Sequence, residues 1–255
     1  MRPPGTFCWI DLATTDIGAA KAFYGQMFGW TTTDMGGPGS PYEMIHRGGD
    51  DVGGIYLLPE SQRARGVPPH WIPYVCVADA AETMARVRAH GGEALVEPCP
   101  VGDAGFTGVL RDPQGAQLAL WQPVNHPGAG ALHEPGTMTW NELGTSDVPA
   151  ALRFYAAVFG WGSRPMPMPD MTYHMLTLGE EQAGGAYQLE GPLAGIPPHW
   201  MTYFAVTDCD ASAEQARSLG AEVHVEPTDI PEVGRFAMIR DPQGAAFCVI
   251  TLKPM

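Results

Sequence analysis

Thr139-Trp140-Asn141-Glu142-Leu143-Gly144-Thr145-Ser146-Asp147 reads as a strand that runs into a helix cap. Phe7-Cys8-Trp9-Ile10-Asp11-Leu12-Ala13-Thr14-Thr15-Asp16 reads the same way, 131 positions earlier (Asp147 against Asp16, Trp140 against Trp9). Working outward at that offset, Phe23-Tyr24 matches Phe154-Tyr155, Phe28-Gly29-Trp30 matches Phe159-Gly160-Trp161, and Gly53-Gly54 matches Gly184-Gly185. After a two-residue deletion the offset is 129. Pro68-Pro69-His70-Trp71 then matches Pro197-Pro198-His199-Trp200, and Asp112-Pro113-Gln114-Gly115-Ala116 matches Asp241-Pro242-Gln243-Gly244-Ala245. A fixed-period repeat of this kind sets the architecture before any local reading does. The boundaries fall at 1–124 and 132–255, with 125–131, rich in turn formers, as linker.

Each copy reads as two strand–helix units. In the first, Thr6–Ala13 is a strand, Asp16 caps a helix over Ile17–Met27, and Gly29 ends it. Tyr42–His46 and Val52–Leu58 are strands around the turn Gly48-Gly49-Asp50-Asp51. Trp71–Val77 opens the second unit, and Asp79 caps a helix to Ala89. Leu95–Glu97, Gly105–Arg111 and Ala116–Gln122 are strands, the last two joined by a tight Asp-Pro-Gln-Gly turn. The second copy repeats the order, with Asp147 and Asp208 as caps. Period-two alternation puts Trp9 with Asp11 and Trp140 with Glu142 on one strand face.

Composition narrows the function. A net charge of −14 opposes nucleic acid, whose phosphates repel it. No run approaches the roughly 20 apolar residues of a membrane span. The start carries no apolar signal core, so a cytoplasmic protein is expected. Five widely separated cysteines without a Cys-x-x-Cys pair read as free thiols in a reducing compartment. Gly36-Gly37-Pro38-Gly39 has neither the lysine nor the helix start of a phosphate loop and reads as a loop at a pocket mouth. No Ser-His-Asp or Cys-His arrangement can be assembled from spacing alone. His70 and His199, repeated before a tryptophan, suit a structural job at a strand start. His46 and His174 do not match in spacing.

Asp16-x-x-x-Ala20-x-x-Phe23-Tyr24-x-x-x-Phe28-Gly29-Trp30, together with Arg111-Asp112-Pro113-Gln114-Gly115, resembles the vicinal oxygen chelate superfamily, which includes glyoxalases, extradiol dioxygenases and bleomycin-resistance proteins. The resemblance covers both copies. It implies an α+β fold of four βαβββ units, forming two tandem glyoxalase-like domains with half-open β-barrels. It also implies where metal ligands would stand in metal-using relatives. Those positions fall on Trp9 and Trp140, on Ile72 and Met201, and on Ala119 and Cys248. Only Cys248 is a metal donor of any strength, and it would stand alone. No metal and no cofactor is therefore expected.

The expected pocket is apolar and aromatic, lined by Trp9, Tyr74 and Trp121 in copy one and by Trp140, Tyr203 and Cys248 in copy two. Such a surface stacks a flat organic ligand. Asp11 and Glu142 are either hydrogen-bonded structural carboxylates or general bases whose pKa an apolar site would raise. The expected function is metal-free acid–base chemistry on a small, largely apolar organic molecule: isomerisation, cyclisation or elimination. The alternative is a non-catalytic binder that sequesters a compound, as bleomycin-resistance proteins do. A metal-dependent lyase or dioxygenase is a third reading. Both barrels come from one chain, so either a monomer or a homodimer is expected.

Overall fold

A computed structural model describes residues 2–37, 41–168 and 171–253. Pro38 and Gly39 of the expected pocket-mouth loop lie outside the described residues. In chain order the first copy holds β1 (Phe7–Thr14), α1 (Ile17–Phe28), β2 (Thr31–Asp34), β3 (Tyr42–Arg47), β4 (Asp50–Leu57), the short α2 (Glu60–Arg63), β5 (His70–Cys76), α3 (Ala80–Ala89), β6 (Glu93–Val101), β7 (Gly105–Arg111) and β8 (Gln117–Pro123). The second holds β9 (Met138–Thr145), α4 (Val148–Phe159), β10 (Gly162–Pro167), β11 (Thr172–Leu178), β12 (Glu181–Gln188), β13 (His199–Ala205), α5 (Cys209–Ser218), β14 (Glu222–Ile230), β15 (Gly234–Arg240) and β16 (Ala246–Leu252). Two mixed eight-stranded sheets result, in the orders β2-β3-β4-β1-β5-β8-β7-β6 and β10-β11-β12-β9-β13-β16-β15-β14. No helix among the described residues is long and apolar enough to cross a membrane.

The four long helices start where the sequence places them. Asp16, Asp79, Asp147 and Asp208 each accept a hydrogen bond from the backbone N–H three residues on, at 2.8–2.9 Å. Gly29 and Gly160 end α1 and α4 in the left-handed conformation, at φ 68° and 77°. Two strands have no counterpart in the sequence reading. β2 is Thr-Thr-Thr-Asp and β10 is Gly-Ser-Arg-Pro-Met-Pro. Both are sheet edges and almost wholly exposed, so neither needs the alternation that marks a half-buried strand.

The compact units are not the sequence copies. One comprises Met1–Trp9, Pro73–Gly128 and Asn141–Met201, the other Ile10–Ile72, Ala129–Trp140 and Thr202–Met255. Each joins the second half of one copy to the first half of the other. In the first unit the core gathers Met84, Val87, Leu110 and Leu118 with Ala151, Phe154, Tyr155 and Trp200.

The repeated motifs build these cores. In the first unit the Trp200 indole N–H donates to the Tyr155 hydroxyl at 2.9 Å, and that hydroxyl donates to Asp112 Oδ2 at 3.0 Å. Asp112 Oδ1 accepts the backbone N–H groups of Gln114, Gly115 and Ala116 at 2.8–2.9 Å. The second unit repeats the chain from Trp71 to Tyr24 to Asp241, and on to the N–H groups of Gln243, Gly244 and Ala245. Both carboxylates are buried. Burial pushes them above the usual carboxylate range, and the backbone and tyrosine donors pull back only part of that shift. Phe-Tyr, His-Trp and Asp-Pro-Gln-Gly are thus three parts of one polar brace. Around it Phe28, Trp30, Phe204 and Phe247 pack on Tyr24 or on one another in the second unit. The histidines of the Pro-Pro-His-Trp motif cap backbone: His70 Nδ1 lies 2.8 Å from Pro68 O, and His199 Nδ1 lies 2.9 Å from Pro197 O.

Candidate functional site

The acids singled out in the sequence each sit against a tyrosine. In the second unit Asp11, on β1, is 5% exposed and accepts a hydrogen bond from the Tyr42 hydroxyl at 2.9 Å. The register explains the reach. Asp11 pairs with Gly54 across β1 and β4, while Tyr42 pairs with Tyr56 across β3 and β4. Tyr42 is therefore one alternation away and leans over the bare Gly54 to meet the acid. A Cβ at Gly54 would overlap both the Tyr42 hydroxyl and the Asp11 carboxylate. The absent side chain is what lets the pair form. Tyr56 completes the group. Burial and then the Asp11 charge hold its hydroxyl well above the ordinary phenol range, so it stays an O–H donor at neutral pH.

The first unit carries the counterpart. Glu142, on β9, accepts from the Tyr173 hydroxyl at 3.1 Å and is only half-buried. Glu142 pairs with Gly185, and Tyr173 pairs with Tyr187. A Cβ at Gly185 would overlap the Tyr173 hydroxyl. The tyrosines are repeat-matched, at the same 131 offset as the acids, and that was the available signal for them in the sequence.

The other expected lining residues divide between the units. Trp9, Tyr74 and Trp121 belong to the first, with Glu142; Trp140, Tyr203 and Cys248 belong to the second, with Asp11. Trp9 and Trp121 are buried and share His126 of the linker. Its ring stands edge-on to Trp9 at 4.9 Å and to Trp121 at 5.9 Å, and its carbonyl accepts the Trp121 indole N–H at 2.9 Å. The linker thus contributes a side chain to the aromatic group of copy one. Tyr74 pairs with Ala119, and Trp121 with Cys76, across β5 and β8. Tyr203 pairs with Cys248 across β13 and β16, and both are buried, with Phe236 6.1 Å from the Tyr203 ring. Trp140 is half-buried.

Two clefts, each within a single unit, lie away from these groups. One of about 160 Å³ adjoins Asp241, Gln243 and Arg240. Another of about 350 Å³ adjoins His90, Gln114 and Arg153. Neither is lined by Asp11, Tyr42, Glu142 or Tyr173.

The residues at the family's ligand positions do not fit a divalent metal. Trp9, Ile72, Ala119, Trp140 and Met201 supply neither imidazole nor carboxylate, and Cys248 is a single thiol. Among the described residues no group of three or more His, Cys, Asp or Glu side chains could hold an ion.

A family model described as the glyoxalase/bleomycin resistance protein/dioxygenase superfamily matches residues 6–120 and 136–249. The chain is 42% identical over 253 residues to CFP32 of Mycobacterium tuberculosis, provisionally named a glyoxylase, covering 98% of this chain and 96% of that one. It is 34% identical over 261 residues to the anthracycline biosynthesis protein DnrV of Streptomyces peucetius, covering 98% and 94%. Among solved structures, the Mn(II)-bound glyoxalase from Novosphingobium aromaticivorans superimposes with a TM-score of 0.69 at 15% identity, over 99% of this chain and 84% of that one. The 2,3-dioxygenase LapB from Pseudomonas sp. KL28 does so at 0.67 and 15%, over 96% and 91%. At such identities the two structures speak for the fold alone.

Proposed function

Because the chain belongs to the glyoxalase/bleomycin resistance protein/dioxygenase superfamily, whose fold serves many reactions, we propose that it acts on a small, flat organic molecule by proton transfer between carboxylate and tyrosine. The observation that carries this reading is the Asp11–Tyr42 pair over Gly54, repeated as Glu142–Tyr173 over Gly185. The tyrosine hydrogen bond orients the carboxylate, and its ionised form is the one that serves as a general base. It would take a proton from a carbon or hydroxyl of the substrate. The electron pair left behind would settle on a neighbouring carbonyl oxygen, and a hydroxyl such as Tyr56, kept protonated by its surroundings, would donate to that oxygen. Return of the proton to a different atom completes an isomerisation or cyclisation. Loss of a leaving group completes an elimination.

A flat aromatic substrate fits the tryptophans and tyrosines expected around the site, and the likeness to a protein named for anthracycline biosynthesis points to the same class. The likeness to CFP32 supports a glyoxalase-like chemistry only in this coarse sense, since the ligand positions here lack metal donors. Tryptophan-fluorescence titration with planar aromatic compounds, followed by turnover assays on the hits, tests the reading. Turnover lost in Asp11→Asn or Glu142→Gln with binding retained supports it. Tight binding with no turnover of any hit replaces it with sequestration.

A further inference from the structure

Away from those acids, β2 and β3 bring together three side chains with a different chemistry. His46 Nδ1 lies 2.8 Å from Asp51 Oδ1, and His46 Nε2 lies 2.9 Å from the Thr33 hydroxyl. All three belong to the second unit. A carboxylate only accepts, so the Nδ1 proton faces Asp51. Nε2 of the neutral ring is then the acceptor, and the Thr33 O–H donates to it. The order is hydroxyl, imidazole, carboxylate, the arrangement that activates a nucleophile.

The backbone places these groups. The β3–β4 pairing shifts register between Ile45 and His46, and beyond the shift His46 stands opposite Asp51. Such a bulge re-aims a side chain. It turns His46 toward both Asp51 and the edge strand, where Thr33 is exposed. The second copy keeps the bulge, between Leu176 and Thr177, but not the chemistry. The residues matching Thr33, His46 and Asp51 at the 131 offset are Arg164, Thr177 and Gln182. The fold therefore forms without an acid, a base or a hydroxyl in these roles. The His46 and Asp51 side chains are 25% and 38% exposed, and a polar contact that wet contributes little to stability.

We propose that Thr33, His46 and Asp51 form a base-activated hydroxyl that takes acyl groups from activated esters. Thr33 Oγ1 bonds to the acyl carbon as its proton passes to His46 Nε2. The ester C–O bond breaks, and the leaving alkoxide or phenolate departs with that proton. Water then attacks the acyl-threonine, giving a proton to Nε2. The bond between Oγ1 and the acyl carbon breaks, Oγ1 recovers the proton, and the carboxylic acid leaves. Thr33 and His46 touch the reacting atoms; Asp51 is a positioning residue.

The test uses the full chain with p-nitrophenyl acetate, following nitrophenolate release and mapping the acetyl group by peptide mass spectrometry. The expected result is release about 10²-fold faster than in Thr33→Val, the low end of general-base catalysis, with acetyl on Thr33. His46→Gln matches Thr33→Val. Asp51→Asn lowers the acylation rate with KM for the ester unchanged, and Asp51→Glu restores part of it. Thr177→Val, at the second-copy position that matches His46, leaves the rate as it was. Thermal melts check each variant, and valine on an exposed edge strand keeps the strand preference. A Thr33→Val protein as fast as the unmodified one, or acetyl found only on Lys21 or Lys253, overturns the proposal.

Discussion

Two kinds of tyrosine–carboxylate pair occur in this chain, and they do different work. In the brace, Asp112 and Asp241 each take three backbone N–H groups on one oxygen and a tyrosine hydroxyl on the other. Their tyrosines are in turn held by a tryptophan N–H. The donors that hold these carboxylates belong to their own turn and to a buried tyrosine. At the candidate site, Asp11 and Glu142 lie on strands, beside glycines whose missing side chains leave room for a tyrosine. Burial of a carboxylate against a tyrosine is therefore no sign of chemistry by itself. What separates the two kinds is whether the carboxylate closes a turn of its own backbone or stands on a strand opposite a bare glycine.

The sharpest way to break this comparison is to remove the brace. Asp112→Ala or Asp241→Ala removes the side-chain acceptor of three turn N–H groups, of which that of Ala116 or Ala245 is buried, and of a buried tyrosine hydroxyl, and should lower unfolding free energy by about 3 kcal/mol in urea titration. A loss under about 1 kcal/mol would mean that water replaces the carboxylate and the brace is not a brace.

Gly54→Ala comes next. The new methyl must displace Tyr42 or Asp11, at about 1–3 kcal/mol of overpacking, and should abolish any turnover found with the intact site. Retained turnover with an unshifted unfolding midpoint would remove the Asp11–Tyr42 pair from the mechanism.

Tyrosine-to-phenylalanine exchange separates the two kinds directly. Tyr155→Phe leaves the Trp200 N–H and Asp112 Oδ2 without their partner and should cost about 1–3 kcal/mol, with little effect on turnover. Tyr42→Phe takes a donor from the buried Asp11 and should cost a similar amount, but it should also reduce turnover about tenfold or more. Equal turnover in the two variants would erase the distinction.

The smallest effect is on pH dependence. Burial raises Asp112 and Asp241 in the folded chain, so the folded state keeps these protons to higher pH than the unfolded one. The stability they add is full below the unfolded carboxylate pKa and is lost as pH rises through the raised folded-state pKa. Asp112→Asn does not titrate. The margin of the unmodified protein over this variant in urea should widen on acidification through that window. A margin that narrows would show that the hydrogen-bond donors outweigh burial.

Much of this was legible in the residues. The 131 and 129 offsets, the four capping aspartates and the Asp-Pro-Gln-Gly turns encode local geometry, and they specify the tandem superfamily fold. The exposed edge strands β2 and β10 were not legible, because a strand that buries nothing carries no periodicity. The partners of Asp11 and Glu142 were hidden for another reason. Tyr42 and Tyr173 reach them diagonally over a glycine, and that depends on register, which spacing along one strand does not contain. The Thr33–His46–Asp51 group depends on a bulge, which is equally silent in sequence. The role of His126 was masked by its place in a segment that composition marks as a linker.

The interleaving of the two copies also sets a timetable for synthesis. Tyr24 finds its carboxylate 217 positions later, at Asp241, and Asp112 must wait for Tyr155. A nascent first copy leaving the ribosome therefore holds half of each core and completes neither. Its aromatic residues stay exposed until the second copy follows, and such contacts of long sequence separation form slowly. Cleavage at the linker before folding would strand both halves, so the intact chain, not the repeat, is the smallest piece expected to fold alone.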